Sequence, residues 1–206
     1  MTRRGRLATL FPAVHLGLAA AGVVRAVQTN NSWWLLASVL AIYLFPPVCF
    51  RLHQWVCPLV EGRHNLSEPS YSPWWASLQM QSVFNAAPWL EALLRVIPGA
   101  YSAWLRLWGS RVGRGVVWTP RIEIADRSLM KIGDHVVFGH RAAFYPHVVD
   151  RRGNGSVTLY VRGIEIGDRA FIGAGSRLAH GVFIAADARF PALTDISIDK
   201  RFEKTP

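Results

Sequence analysis

Cysteine is nearly missing from this 206-residue chain: only Cys49 and Cys57 occur, both among apolar neighbours. Two thiols so placed support neither a disulfide framework nor a metal knuckle, and both are read as structural. Charge is scarce as well, at 17% of residues, with 13 acidic side chains against 23 lysines and arginines and a formal net charge of +10. That excess is not gathered into one face for nucleic acid. Met1 to Ser110 holds eight arginines and three glutamates, and Arg111 to Pro206 holds fifteen basic and ten acidic residues, so each part carries +5. No helix-turn-helix, zinc-finger or RNA-binding pattern is visible, and no nucleic-acid partner is expected. Spread positive charge suits an anionic membrane surface, a phosphate-bearing ligand or a solvated basic surface. What the chain has in plenty is apolar side chains, 51% of residues, with nine tryptophans.

Most of that apolar character lies in the N-terminal part. Leu7 to Val24, LATLFPAVHLGLAAAGVV, runs eighteen residues without a charge, and Ser32 to Phe50, SWWLLASVLAIYLFPPVCF, runs nineteen. A bilayer core takes roughly 20 apolar residues of helix, about 30 Å. Two transmembrane helices are therefore predicted within residues 1–60, with Pro46 and Pro47 ending the second. A signal peptide is the rival for the first run, with TRRGR as its basic region. The run is longer than the roughly 7–15 residues of such a core, and no clear small-x-small site follows. Arg3, Arg4 and Arg6 before the first run, and Arg51 and Arg63 after the second, place both ends in the cytoplasm by the positive-inside rule. An inner-membrane, multi-pass protein with a cytoplasmic C-terminal domain is the expectation. Within residues 61–110, Trp74 to Trp108 mixes tryptophan and leucine with few charges and is broken at Pro88 and Pro98. It reads as short amphipathic helices, lying in the membrane interface or packed as a collar on the following domain.

Residues 111–206 have a different rhythm. Written in sixes, the chain from Val112 gives VGRGVV, WTPRIE and IADRSL; after two further residues it gives IGDHVV, FGHRAA and FYPHVV from Ile132. Sixteen residues then intervene, and from Ile166 the frame resumes as IGDRAF, IGAGSR, LAHGVF and IAADAR, with a weaker FPALTD. The first position is apolar in every unit and the second is small in most. One short strand and one turn per six residues, with three units per turn, predict a left-handed parallel β-helix of about four coils, its first-position side chains stacked inward. A small second residue is expected where the chain bends. The interruption, Asp150 to Glu165, is polar and glycine-bearing and is predicted to leave the coil as a loop.

The stretch FYPHVVDRRGNGSVTLYVRGIEIGDRAFIGAGS resembles the signature region of the hexapeptide-repeat acyltransferases, and within them the sugar O-acetyltransferases of colanic-acid-type exopolysaccharide synthesis. The arrangement of YSPWW and LRLWGSRVGRGV before the coils also resembles the membrane-associated terminal portion of polylysine-type nonribosomal peptide synthetases. The first resemblance implies transfer of an acetyl or longer acyl group from acetyl-CoA, another acyl-CoA or acyl carrier protein to a hydroxyl or amine. A saccharide or lipid-linked acceptor, no permanently bound cofactor, and a homotrimer with sites between neighbours are implied too. Fold does not fix activity, and a non-catalytic β-helix scaffold for a membrane biosynthetic complex is the alternative.

The same resemblance implies His147, just ahead of the loop, as general base. Neutral imidazole accepts a proton near neutral pH, a role worth about 10²- to 10⁴-fold. It also points to backbone N–H groups at Ala174 and, eighteen residues on, Ala192 for contacts to the donor thioester or its pantetheine arm. His180 should share the face of His147 one coil later. His135 and His140 have the spacing of two zinc ligands of β-helical carbonic anhydrases, but the place of the third is Gly99, and no metal is expected. Arg151, Arg152 and Arg162 flank the loop, where they could meet donor phosphates or act as solvated side chains. Asp126, Asp134 and Asp168 are read as turn caps, and Asp150 or Glu165 as the carboxylate that would orient His147.

Overall fold

The computed structural model describes residues 2–153 and 155–202. It divides into two units, one made of residues 1–59 and 69–86, the other of 60–68 and 87–206. The chain therefore changes unit three times. The segment predicted as short amphipathic helices over 61–110 is split between them, because its first residues pair with a strand far along the sequence.

The first unit is helical: α1 (Arg3–Ala8), α2 (Phe11–Thr29), α3 (Trp33–Tyr43), α4 (Phe45–Val56) and, from the later segment, α5 (Pro73–Ala86). The α2–α3 hairpin turns at Asn30, which holds a left-handed conformation with φ 49°. Its helices touch at Gly22, where a Cβ would lie 2.2 Å from Ser38 Oγ, and that hydroxyl donates to the Ala19 carbonyl at 2.9 Å. Among the described residues one helical run, Arg3–Thr29, is long and apolar enough to cross a membrane. The second predicted span is instead a bent pair, α3 and α4, meeting at 44°. Pro46 and Pro47 do not end a helix; they begin α4, where a first turn needs no N–H donors. The break leaves the Ile42 carbonyl without the donor that residue 46 would supply, and His15 Nε2 on α2 meets it at 3.1 Å.

The second unit opens with β1 (Gly62–Asn65), α6 (Trp89–Val96) and α7 (Ala100–Leu107). A parallel β-helix follows. Its first coil is β2 (Arg111–Val112), β3 (Val117–Trp118) and β4 (Glu123–Ile124), and its second is β5 (Met130–Ile132), β6 (Val137–Phe138) and β7 (Ala143–Tyr145). A hairpin of β8 (His147–Arg151) and β9 (Val157–Val161) then leaves the coil. The third coil is β10 (Ile164–Ile166), β11 (Phe171–Ile172) and β12 (Arg177–Ala179), the fourth is β13 (Phe183–Ile184), β14 (Arg189–Phe190) and β15 (Asp195–Ile196), and β16 (Arg201–Phe202) begins another. Strands stack in parallel into three faces, β16-β13-β10-β5-β2, β14-β11-β6-β3 and β15-β12-β7-β4. The expected four coils are present, and the frame runs on past FPALTD through Ile196 to Phe202.

The hexads map onto this geometry position by position. First-position residues Ile132, Phe138, Phe144, Ile166, Ile172, Leu178 and Ile184 are buried in the central column. Fourth-position residues, among them Arg121, His135, Arg141, Arg169 and Asp187, take positive φ at the corners, which lets a unit turn within so few residues. The second position is small for a reason other than bending. A Cβ on Gly139 would lie 2.3 Å from Ala174 N, and one on Gly173 2.3 Å from the Pro191 carbonyl carbon, so the next coil's backbone occupies that space. At the start of the stack α7 packs Tyr101, Trp104 and Trp108 inward. Tyr101 meets the first-coil Trp118 edge-on at 4.9 Å, and Trp118 donates to Ser102 Oγ at 2.8 Å. An open coil end presents unsatisfied apolar side chains, and this helix covers them.

Candidate functional site

Two irregularities interrupt the sixes, and both fall at the same corner, where the chain passes from the β4/β7/β12/β15 face to the β2/β5/β10/β13/β16 face. The first is the pair of extra residues before Ile132, which widens the turn between β4 and β5. This widening tucks Asp126 inside, with no exposure. The second is the β8–β9 hairpin, which starts one coil further on at His147. His147 is the one fourth-position residue of the second coil drawn into an extended strand instead of a left-handed turn. The Asp126 carboxylate accepts a hydrogen bond from His147 Nδ1. That contact fixes the ring and selects the tautomer with its proton on Nδ1, so that Nε2 carries the basic lone pair. The His147 side chain is one-fifth exposed while its carboxylate partner is wholly buried.

Asp126 is the residue that sequence reasoning misassigned. Asp134 and Asp168 do act as turn caps, accepting the Arg114 and Asp134 backbone N–H groups at 2.7 and 2.8 Å. Asp126 caps nothing of that kind, and its other oxygen, Oδ1, has no partner among the described residues. The two local alternatives point elsewhere: Asp150 is exposed on β8, and Glu165 pairs with Lys131 at 3.5 Å. The signal was present in the sequence as the two-residue slip in the hexad frame.

The interruption expected as a loop is a hairpin, and β1 joins it as a third strand in the order β1-β9-β8, both pairings antiparallel. Val157, Thr158 and Val161 supply strand propensity, and Ser67 Oγ accepts from Val157 N at 2.8 Å. Of the arginines, Arg152 donates to the Tyr160 hydroxyl at 3.0 Å, Arg162 pairs with Asp199 at 3.0 Å, and Arg151 is exposed on β8.

His180 lies at the same corner one coil beyond His147, immediately after Ala179, whose register partner is Tyr145. Only 4% of it is exposed, and its ring lies parallel to that of Tyr160 with centroids 6.0 Å apart. Burial, more than the nearby Arg162 and His147 charges, holds its pKa below the ordinary imidazole value, while Asp199 opposes the shift. Ala174 and Ala192 are stacked one coil apart, with Leu193 N donating to the Ala174 carbonyl at 2.8 Å. They sit at a different corner, between the β11 and β12 and the β14 and β15 strands. Within one chain the fold thus gathers Asp126, His147 and His180, and sets Ala174 and Ala192 apart from them.

Behind Asp126 lies a buried ionic cluster. Glu91 on α6 binds Arg127, accepts from Arg95 at 3.0 Å, and accepts from the Tyr101 hydroxyl at 2.7 Å. Tyr101 is buried, and desolvation beside that carboxylate drives its phenol far above its usual range. The cluster anchors the widened turn through the residue next to Asp126.

Fold and site together describe a parallel β-helix with a carboxylate–imidazole pair at the point where a hairpin breaks the coil. No protein-family model and no curated protein matches the chain. Among solved structures it is similar to a hexapeptide-repeat-containing acetyltransferase of Vibrio cholerae, 18% identical over 59% of this chain and 85% of that one, with a TM-score of 0.40. The Vibrio cholerae protein complexed with acetyl coenzyme A gives 19% identity over 61% and 84% and a TM-score of 0.41. Serine acetyltransferase isoform 3 of Entamoeba histolytica, in complex with cysteine, gives 11% identity over 94% and 71% and a TM-score of 0.31. These are distant likenesses of fold, and the chemistry rests on this chain's own residues.

Proposed function

We propose that the protein is a membrane-associated acyltransferase that moves an acetyl or longer acyl group from an acyl-CoA to a hydroxyl or amine of a saccharide or lipid-linked acceptor. The observation that carries this reading is the buried Asp126 carboxylate bonded to His147 Nδ1 at the break in the coil. His147 Nε2 takes the proton from the acceptor as its oxygen or nitrogen attacks the thioester carbonyl. The resulting tetrahedral oxyanion collapses with cleavage of the carbon–sulfur bond, and the imidazolium returns the proton to the departing coenzyme A thiolate. Asp126 keeps the ring oriented and favours the transient imidazolium, as the third member of a nucleophile–base–carboxylate arrangement does.

Backbone N–H groups at Ala174 and Ala192 are proposed to line the donor arm and meet the thioester oxygen. Because they occupy another corner of the same chain, a homotrimer that sets that corner of one copy against the His147 corner of the next is part of the proposal. Membrane association is supported by the first unit, where Leu7, Val27, Trp33 and Trp55 are each at least two-thirds exposed and apolar side chains face outward along α2, α3 and α4. The arginines at either end of that unit favour a cytoplasmic coil domain.

The test uses full-length protein in detergent. Acetyl-CoA or a long-chain acyl-CoA is expected to raise its melting temperature, since a ligand present at a hundredfold excess over Kd adds about 2.7 kcal/mol. Thiol release from the same donor, with a glycoside as acceptor, is expected to vanish in His147→Ala while donor stabilisation persists. Undiminished thiol release by His147→Ala sinks the assignment, and absence of donor binding to folded protein favours the scaffold.

A further inference from the structure

Asp126, His147, His180 and Asp199 mark one corner of the β-helix in four successive coils, each following the strand on the β4/β7/β12/β15 face. The first two are bonded to each other, and Asp199 pairs with Arg162. His180 differs from its neighbours. Neither of its ring nitrogens has a hydrogen-bond partner among the described residues, although the side chain is more than nine-tenths buried. Buried polar atoms are almost always bonded, so both nitrogens call for a partner beyond the described residues. The groups around it are the Tyr160 ring, the Arg162 and Asp199 ion pair, and His147.

A neutral imidazole presents one N–H donor and one lone pair. A hydroxyl group donates and accepts, so hydroxyls satisfy both nitrogens. An ammonium group only donates and a carboxylate only accepts, and each leaves one nitrogen unmet. The Tyr160 ring beside it adds apolar surface, the usual complement to a few placed polar groups in a small-molecule site. The Arg162–Asp199 pair is about half exposed on both sides and weakly held, so it yields readily to a ligand. We propose that His180 and Tyr160 form the acceptor subsite and that they select a polyhydroxylated, saccharide-type acceptor over an amine. This rests on the reading of His147 as the base, one coil away on the same corner.

Full-length protein in detergent is titrated with methyl glucoside, methyl galactoside and methyl mannoside, and with ethylamine as the amine probe, while its melting temperature is followed. At least one glycoside is expected to stabilise the wild type and not His180→Phe, with ethylamine shifting neither. His180→Gln, which restores a donor and an acceptor, is expected to recover part of the shift. In thiol-release assays with acetyl-CoA, His180→Phe is expected to raise the glycoside KM at least about tenfold, more than it lowers kcat. Stabilisation of the wild type by no glycoside, equal stabilisation of wild type and His180→Phe, or stabilisation by ethylamine that His180→Phe abolishes each overturns the proposal. A His180-dependent glycoside shift in a protein that releases no thiol from acetyl-CoA refutes the transferase reading and leaves the subsite standing.

Discussion

Replacing Asp126 with asparagine separates what this side chain does for the fold from what it does for the chemistry. The carboxylate is wholly buried, so its interaction with a transient His147 imidazolium is little screened by solvent. Two unit charges about 4 Å apart at an effective dielectric near 20 interact by about 4 kcal/mol. Loss of that term in the transition state lowers kcat by about a thousandfold, at roughly 1.4 kcal/mol per factor of ten. The fold gains no comparable support from the charge. Asp126 Oδ1 has no partner among the described residues, and a buried carboxylate bonded on one side only is neutral or unfavourable relative to an uncharged isostere. Asp126→Asn is therefore expected to keep or raise the melting temperature while kcat collapses. Initial rates of thiol release and melting curves, recorded on the same preparation, decide it. A kcat within tenfold of wild type, or a fall in kcat accompanied by a matching loss of melting temperature, refutes the reasoning.

Other outcomes follow from the same structure. The folded-state pKa of His180 lies below its ordinary value of 6.5 because burial disfavours the charged ring. Below about pH 6.5 the unfolded chain then binds a proton that the folded chain resists; stability is full above that pH and declines beneath it. His180→Phe is expected to flatten the difference in melting temperature between about pH 7.5 and 5.5. Gly139→Ala places a Cβ 2.3 Å from Ala174 N, so coils two and three must shift, at a cost of about 1–3 kcal/mol read as a lower melting temperature. Glu91→Ala strips the buried Arg127 guanidinium of its carboxylate, and a loss of about 3–5 kcal/mol is expected in denaturant unfolding of the coil domain. An unchanged midpoint would show that the cluster is not what holds the widened turn.

The coil was legible because each hexad position has one physical job. Ile166, Ile172 and Leu178 fill the column, and Gly139 and Gly173 admit the neighbouring coil. Arg169 and Asp187 turn left-handed at the corners. Such one-to-one demands leave a periodic trace even where residues vary. His147 was visible in the last hexad before the frame broke. Asp126 was not, because a two-residue slip in the frame reads equally as an irregular turn, and only the stacked coils show that both breaks share a corner. The hairpin was hidden for another reason: its outer partner, β1, is four polar residues with no strand-like alternation, and the Ser67–Val157 bond spans 90 residues. In the first unit the apolar run from Ser32 was read as one span because hydropathy is blind to where a helix restarts. The Pro46–Pro47 pair decides that, along with the His15 side chain that meets the stranded Ile42 carbonyl.

The three crossings of the chain between its units have a consequence for how the molecule can be divided and made. A fragment that starts at residue 87 carries every coil and the Asp126–His147 pair but lacks β1, so the outer edge of β9 is exposed. A fragment that stops at 86 keeps the helices and carries β1 as an unpaired strand. During synthesis β1 emerges long before β9, and its pairing must wait until two coils have been made, a long loop closure of the kind that slows folding. The β1–β9 seam is thus the last of its sheet to close, and it completes the hairpin that begins at His147.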